Sequence, residues 1–213
     1  MLMLRRSLLA GLLASSLLGV TRADASSIDT ITTPFTGTDS AVRVELSEEG
    51  GDIRVTATVT LGLADLRAVY LDIADDALLG GMSASGDFVT GSQFLADGVI
   101  DLGHGSNLHG GGTPCPCDIG VELGTPGIGK DDIPSTSFLL HASVPLSLSE
   151  FANQLVGVRI TSTGPDPDSR GGSAKLAGTF PDTVPVPEPT TGLLTAIGLG
   201  WLGYAGRRTN GCG

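Results

Sequence analysis

Residues 52–61 read DIRVTATVTL, and this stretch decides the fold class. Every second side chain is apolar, from Ile53 through Val55 to Leu61, and the side chains between them are Arg54 and three threonines. Alternation with a period of two is the pattern of a β-strand with one face in the core and one in solvent. Residues 41–46 alternate in the same way, and an acidic, glycine-containing turn separates the two stretches. The sequence therefore predicts a β-hairpin from 41 to 61.

Further strand candidates follow at short intervals, and clusters of Gly, Pro, Asp and Ser separate them. They lie at 66–73, 88–90, 99–102, 118–123, 137–144, 155–163 and 173–179. Helical periodicity is confined to two short candidates, at 75–79 and 149–154, the second capped by Ser147 or Ser149. Many short strands with glycine-rich connections are typical of antiparallel sheet proteins. We therefore expect an all-β fold, an antiparallel β-sandwich or jelly roll.

The composition is acidic and poor in aromatic residues. The chain of 213 residues carries 12 basic and 23 acidic side chains, a net charge of −11. A nucleic-acid-binding protein needs a basic face to meet phosphate groups, and this composition supplies none. Nucleic acid is therefore excluded as a partner. Aromatic residues make up only 4% of the chain, which leaves few stacking platforms for sugars.

The first 25 residues have the three parts of a secretory signal peptide. Arg5 and Arg6 form a basic start, residues 8–20 are apolar, and Ala23 and Ala25 are the small side chains that precede a cleavage site. The alternative is an N-terminal membrane anchor. However, the apolar stretch rises only about 20 Å as a helix, and the hydrocarbon core is about 30 Å thick. The sequence therefore predicts export by a Sec-type machinery and cleavage after Ala25.

A second apolar segment lies near the other end of the chain. Residues 184–189 read VPVPEP, a stiff proline-rich stretch, residues 190–206 carry no charged side chain, and Arg207 and Arg208 follow directly. This length is the lower limit for a transmembrane helix. The arginine pair places the C-terminus on the cytoplasmic side by the positive-inside rule, so the preceding domain faces away from the cytoplasm. A buried helix of a soluble domain is the alternative, but three threonines are its only polar side chains.

The stretch Val186, Pro187, Glu188 and Pro189, with the apolar helix and the arginine pair after it, resembles the PEP-CTERM sorting signal of Gram-negative bacteria. The resemblance departs at the end, where residues 209–213 follow the arginines. It implies that the membrane protease exosortase recognises the Pro-Glu-Pro motif while the inner membrane transiently holds the precursor. The tail would then be removed and the domain released or transferred to the cell surface. The resemblance also implies that the partner at the cell surface is the exopolysaccharide of a biofilm matrix.

The two ends divide the chain into a signal peptide at 1–25, an ectodomain at 26–183 and a sorting signal at 184–213. Five of the 12 basic and two of the 23 acidic residues lie in the ends, which leaves 7 against 21 and a net charge near −14 for the ectodomain. Such a charge suits solubility outside the cell and association with cations. Residues 65–73 and 124–133 resemble stretches of uncharacterised secreted bacterial β domains. That resemblance implies a shared fold and no functional residue.

Four side chains of one glycine-rich loop, His104, His109, Cys115 and Cys117, have the chemistry of a tetrahedral zinc site. Their spacing matches no standard zinc finger or ribbon. An exported protein also meets oxidising conditions, in which two cysteines more often form a disulfide than bind a metal. The ring closed by Cys-Pro-Cys is small and requires the two Cα atoms to lie within about 6.8 Å. The disulfide, free thiols and zinc stay open as alternatives, and the two states without metal are favoured.

Acidic loops provide a second metal candidate, because extracellular β domains often hold Ca²⁺ with carboxylates in turns. Asp72, Asp75 and Asp76 follow a predicted strand, and in this interpretation they share an ion with Asp131 or Asp132 from another loop. Calcium is therefore the one cofactor that we consider besides zinc.

The sequence carries none of the standard catalytic motifs: it contains no G-x-S-x-G elbow, no H-E-x-x-H helix and no P-loop. His141 lies on a predicted strand, where a packed or surface histidine is expected rather than a general base. Five glutamates could serve glycosidase chemistry, without the aromatic platforms that a sugar hydrolase normally uses; they are Glu45, Glu48, Glu49, Glu122 and Glu150. We therefore expect a non-enzymatic surface or extracellular-matrix protein. The alternatives are a carbohydrate- or calcium-binding module and a secreted hydrolase.

Overall fold

The computed structural model describes residues 26–110, 112, 116–125 and 131–182. Strands make up 59% of this part of the chain and helices 8%. The strands are β1 (Ser27–Gly37), β2 (Ala41–Glu49), β3 (Asp52–Leu61), β4 (Leu63–Leu71), β5 (Ser83–Gly86), β6 (Val89–Val99), β7 (Cys117–Leu123), β8 (Ser135–His141), β9 (Leu155–Gly164) and β10 (Gly172–Thr179). Three short 3₁₀ helices lie between them, at Asp76–Gly81, Leu148–Glu150 and Pro167–Ser169.

The named strands pair only in antiparallel fashion and join into one sheet. Their order is β5-β8-β3-β2-β1-β10-β9-β4-β7-β6, and the end strands β5 and β6 lie against each other, so the sheet nearly closes on itself. β1 connects the two halves of the sheet, because residues 27–32 pair with β2 and residues 33–37 pair with β10. The predicted antiparallel all-β fold and the β2–β3 hairpin are confirmed. This pairing does not show the two separate sheets of a sandwich or jelly roll.

Some predicted bounds differ from the structure. One strand, β6, begins within the candidate at 88–90 and ends at the first residue of the candidate at 99–102. It runs through Gly91 and Gly98 because it pairs with β7 on one side. β1 has no counterpart in the prediction, since residues 27–37 do not alternate strictly. The two helix candidates, 75–79 and 149–154, overlap the 3₁₀ helices Asp76–Gly81 and Leu148–Glu150. Ser147, one of the two predicted capping residues, caps the second helix.

The main core lies between the two halves of the curled sheet. Alternate apolar residues of β2, β3 and β8 face those of β4, β7, β9 and β10 across it, and Phe138 and Phe151 are among its largest fully buried side chains. Because side chains alternate along a strand, the same register turns the intervening polar residues outward. The polar side chains that can contact a dissolved ligand therefore lie on the outer faces of both halves.

A smaller cluster lies on the outer face of β4 and β9. The chain after β6, residues 100–110, folds back over this face and buries Leu108 against Tyr70. Gly157 in β9 makes the close approach possible, because a Cβ atom there would lie 2.4 Å from Leu108 Cδ1. The hydroxyl group of Tyr70 donates to the carbonyl oxygen of Ser106 at 2.6 Å. These contacts fix residues 100–110, which we call the cover loop.

Within the described ranges, no helix is long and apolar enough to cross a membrane. The predicted signal peptide at 1–25, with Ala23 and Ala25, lies outside those ranges. So do the motif at 186–189, the predicted span at 190–206 and the arginine pair after it. These interpretations stay predictions.

Candidate functional sites

A pocket of about 280 Å³ opens between the cover loop and the outer face of β6 and β7. Its lining is Gly91, Ser92 and Gln93 of β6, Asp101 and Leu102 at the start of the cover loop, and Glu122 of β7. Two carboxyl groups, an amide and a hydroxyl thus reach one pocket. Such a lining can make several directed hydrogen bonds to a polar ligand.

Glu122 is held in place by three groups around its Oε1 atom. Ser106 Oγ donates to it at 3.2 Å, and Arg67 Nη2 and His104 Nδ1 each lie 3.7 Å away. The Arg67 side chain is only 3% exposed and its Nη2 has no hydrogen-bond partner, so the guanidinium faces Glu122 from inside the protein. A Cβ atom on Gly91 would lie 3.4 Å from Oε2, which places that second oxygen towards the pocket lining. Of the five glutamates considered for glycosidase chemistry, Glu122 is the one in this lining.

Asp101 is the more exposed carboxylate of the pocket. Its Oδ1 accepts from the Gly103 N–H at 2.8 Å, and its Oδ2 lies 3.4 Å from His109 Nε2. Burial raises the pKa of Tyr70, and the carboxylates of Asp101 and Glu122 raise it further. Tyr70 therefore stays protonated and keeps its hydroxyl group available as the donor that anchors the cover loop.

Two cations hold the cover loop from the sheet. Lys175 Nζ donates to Asn107 Oδ1 at 2.8 Å and to the carbonyl oxygen of His109. Arg159 Nε donates to the carbonyl oxygen of Gly105 at 3.1 Å. Burial lowers the pKa of Lys175, and the neighbouring guanidinium of Arg159 lowers it further. Both cations are engaged by the loop, and the pocket lining itself contains no Lys or Arg.

A second constellation lies on the outer face of the other half of the sheet. Asp52 of β3, His141 of β8 and Ser85 of β5 stand on three adjacent strands. Ile53 pairs with Leu140. Because the two strands are antiparallel, Asp52, which precedes Ile53, lies opposite His141, which follows Leu140. His141 Nδ1 lies 2.9 Å from Asp52 Oδ2, and a hydrogen bond of 2.8 Å joins His141 Nε2 and Ser85 Oγ. The imidazole bridges a carboxylate and a hydroxyl, and we call this set the Asp52–His141–Ser85 relay.

The aspartates of the predicted calcium site do not converge, and Asp72 has a different carboxyl group as its partner. Asp72, just beyond β4, is hydrogen-bonded to Asp118, a buried carboxyl group at the start of β7. The N–H groups of Ile73 and Asp97 fix Asp118 from two sides, at 3.0 and 2.7 Å. Burial and then the Asp118 carboxylate raise the pKa of Asp72 to about 7. Asp75 caps the following 3₁₀ helix, and Asp76 is its first residue.

Asp131 and Asp132 lie at the opposite end of β4. The next residue, Ile133, donates its N–H to Asp65 Oδ1 at 2.9 Å. Asp65 is the third residue of β4 and Asp72 lies just beyond its last residue, so at about 3.3 Å per residue the two are separated by about 23 Å. The structure therefore does not bring the five aspartates together around one ion.

The predicted zinc ligands also take separate partners. His104 and His109 each approach a different carboxylate of the pocket. Cys117 is disulfide-bonded, and a disulfide sulfur is not the thiolate that zinc binds. Cys115 lies outside the described residues, so its pairing with Cys117 stays a prediction. In the part of the chain that the structure describes, no group of three or more His, Cys, Asp or Glu side chains could hold a metal ion.

Comparison with known proteins adds no relative. No family model matches the chain, and no curated protein and no solved structure matches it.

Proposed function

We propose that the chain is an exported, exosortase-processed protein of the cell surface or the extracellular polysaccharide matrix. The observation that carries the proposal is the order of signals in the sequence: a signal-peptide pattern at 1–25, then Pro187-Glu188-Pro189, then the uncharged stretch at 190–206 and two arginines. In this account a Sec-type machinery exports the chain. The inner membrane then holds the precursor with its ectodomain in the periplasm, until exosortase removes the tail.

The β domain supports this proposal in two ways. Its charge near −14 favours solubility outside the cell. Its sheet bends at β1 so that both halves face one core, which supports the finer interpretation as a sandwich or jelly-roll type module.

The pocket gives the ectodomain a way to bind the matrix. Gln93, Asp101 and Glu122 can pair with the hydroxyl groups of a sugar, and Leu102 offers an apolar contact for the ring. The charged side chains of the lining are the two carboxylates, so uronate and phosphate groups would meet like charge there. We therefore infer a saccharide without anionic groups as the ligand.

The mass of the intact protein at the cell surface tests the sorting account. We expect the loss of residues 1–25 and of the residues after the Pro-Glu-Pro motif. Glu188→Gln should keep the tail, and Glu150→Gln, which removes the same charge outside the motif, should not. A wild-type protein that retains its C-terminus at the surface would contradict exosortase processing.

Affinity electrophoresis of the full-length chain in gels that contain dextran, mannan or polygalacturonate tests the pocket. We expect retardation by a neutral polymer and none by the anionic one. Asp101→Asn or Glu122→Gln should weaken the retardation about tenfold or more, because a hydrogen bond to a charged group contributes about 1.5–3 kcal/mol. Asp39→Asn, in the exposed turn before β2, removes the same charge and should change nothing. Equal retardation of all variants would refute binding at this pocket.

A further inference from the structure

We propose that Asp52, His141 and Ser85 are the orienting acid, the general base and the nucleophile of a serine esterase site. The substrate class is a carboxylic ester with a small acyl group on a polar alcohol. This activity goes beyond sorting and matrix binding and does not depend on either of them. It differs from the expectation of a non-enzymatic β domain.

The contacts join the atoms that acyl transfer to serine requires. Asp52 Oδ2 lies 2.9 Å from Nδ1, and Ser85 Oγ lies 2.8 Å from Nε2, on the opposite side of the imidazole ring of His141. When Nδ1–H donates to the carboxylate, Nε2 keeps its lone pair for the hydroxyl proton. Each ring nitrogen therefore faces the partner that the reaction assigns to it.

The pocket contains a similar set of residues, but their arrangement does not let a histidine accept the serine proton. There, Ser106 Oγ donates to Glu122, and His104 approaches the same carboxylate oxygen. The carboxylate lies in the middle, so no imidazole nitrogen receives the serine proton. A serine, a histidine and an acid occur together at both places, but only the relay has the histidine between the other two.

The sheet holds the relay in a fixed geometry. Ile53, Leu140 and Ala84, which neighbour the three relay residues in sequence, all face the main core. Strand alternation then turns Asp52, His141 and Ser85 to the outer face. Ser85 pairs with Leu139, two residues before His141, so the serine reaches the histidine diagonally across two strands. Sites built on strands keep their geometry more tightly than sites on loops.

The outer face is open to a polar substrate. Ser85 is exposed, while the His141 and Asp52 side chains are 35% and 30% exposed. On the same face, Arg54 Nη1 donates to Ser137 Oγ at 3.1 Å, which makes the neighbouring surface polar. An ester substituent on a sugar or another polyol fits this environment better than a long acyl chain, which would need an apolar groove.

The reaction needs only the ester, water and the three side chains. Ser85 Oγ forms a bond to the carbonyl carbon of the ester while its proton passes to His141 Nε2. The bond from that carbon to the alcohol oxygen breaks, and the alcohol leaves with the proton from Nε2. Water then attacks the acyl-serine and gives a proton to Nε2. The bond from the acyl carbon to Oγ breaks, Ser85 recovers the proton, and the carboxylic acid leaves.

The negative charge that develops on the carbonyl oxygen needs donors next to Ser85. β5 is the last strand of the sheet order, so alternate N–H groups of β5 face away from its partner β8. These backbone N–H groups are the donors to the oxyanion in this mechanism.

A fluorophosphonate probe on the full-length chain tests the nucleophile directly, because it reacts with activated serines. We expect covalent labelling that peptide mass spectrometry maps to Ser85. Ser85→Ala and His141→Gln should abolish it, and Asp52→Asn should slow it by at least about hundredfold. The matched control is Ser83→Ala, which removes an exposed serine from the same face of the same strand and should label like wild type. Thermal unfolding of each variant shows whether it is folded.

Hydrolysis of p-nitrophenyl acetate and p-nitrophenyl palmitate tests the substrate class. We expect turnover of the acetate in wild type and Ser83→Ala, and a loss of about hundredfold or more in Ser85→Ala. The palmitate should be a poor substrate, and preference for it would overturn the assigned class. Wild-type protein that shows no label at Ser85, or whose turnover survives Ser85→Ala, would overturn the proposal. If wild type is not labelled and Ser85→Ala has a lower melting temperature, the relay has only a structural role and holds β3, β8 and β5 together.

Discussion

Replacing Asp72 by Asn should stabilise the protein above neutral pH and leave its stability unchanged in acid. Burial and the hydrogen-bonded Asp118 carboxylate raise the pKa of Asp72 from 3.8 to about 7. Between these two values the folded chain holds a proton that the unfolded chain has lost. The free energy of unfolding therefore falls as the pH rises from about 4 to about 7. The stabilisation from this proton is complete below that window and absent above it.

The size of the effect follows from the same contact. A rise of the pKa from 3.8 to about 7 corresponds to about 4 kcal/mol, at about 1.4 kcal/mol per pH unit. Asp72 is partly exposed, and solvent screens part of its interaction, so we expect about 2 kcal/mol. The amide of Asn can donate to Asp118 as the protonated carboxyl group does. Asp72→Asn should therefore keep the hydrogen bond and lose the pH dependence.

Urea unfolding of the full-length chain between pH 3.5 and 8.5 measures this difference. Asp72→Asn should match wild type at the acid end and exceed it by about 2 kcal/mol at the alkaline end. Asp39→Asn, in the exposed turn before β2, removes the same charge and should stay parallel to wild type at every pH. A constant difference between Asp72→Asn and wild type would refute the raised pKa of Asp72. So would an Asn variant that is less stable at pH 8.

Two further predictions concern the cover loop. Gly157→Val should cost about 1–3 kcal/mol in thermal unfolding, because its Cβ would lie 2.4 Å from Leu108 Cδ1, and the loop must move; the same substitution at Gly171, where the space is open, should cost clearly less. Tyr70→Phe removes the 2.6 Å hydrogen bond to the carbonyl oxygen of Ser106 and should cost about 1–2 kcal/mol. It should also weaken retardation by a neutral polysaccharide, and unchanged retardation would show that the pocket does not need this anchor.

Local alternation predicted those strands that have one apolar and one polar face. β3 repeats the predicted bounds 52–61, because its apolar residues face the core and its threonines face outward. β6 is different: Gly91 and Gly98 weaken it as a strand, and pairing with β7 stabilises it nevertheless. The strand order could not be predicted, since pairings such as β1 with β10 join residues from opposite ends of the domain.

The same limit explains why the sequence did not reveal the relay. Asp52 and His141 each lie on the polar face of a strand that was predicted, so their orientation was available. Ser85 belongs to the four-residue strand β5, which has no alternation long enough to detect. Their proximity depends on β8 lying between β3 and β5, and spacing along the chain does not determine this. The pocket carboxylates Asp101 and Glu122 meet for a comparable reason, because the cover loop folds back onto the sheet.

The register of β8 decides at once whether the core and the relay can exist. Phe138 and Leu140 enter the main core, and His141 points outward because it follows Leu140 by one residue. A slip of one residue would turn His141 inward and expose the two apolar side chains, so packing of the core holds the register in which His141 faces outward. Burial of Phe138 and Leu140 thus determines which face of β8 carries His141. Covalent labelling of Ser85 therefore distinguishes an activated nucleophile from a serine that only joins β5 to β8.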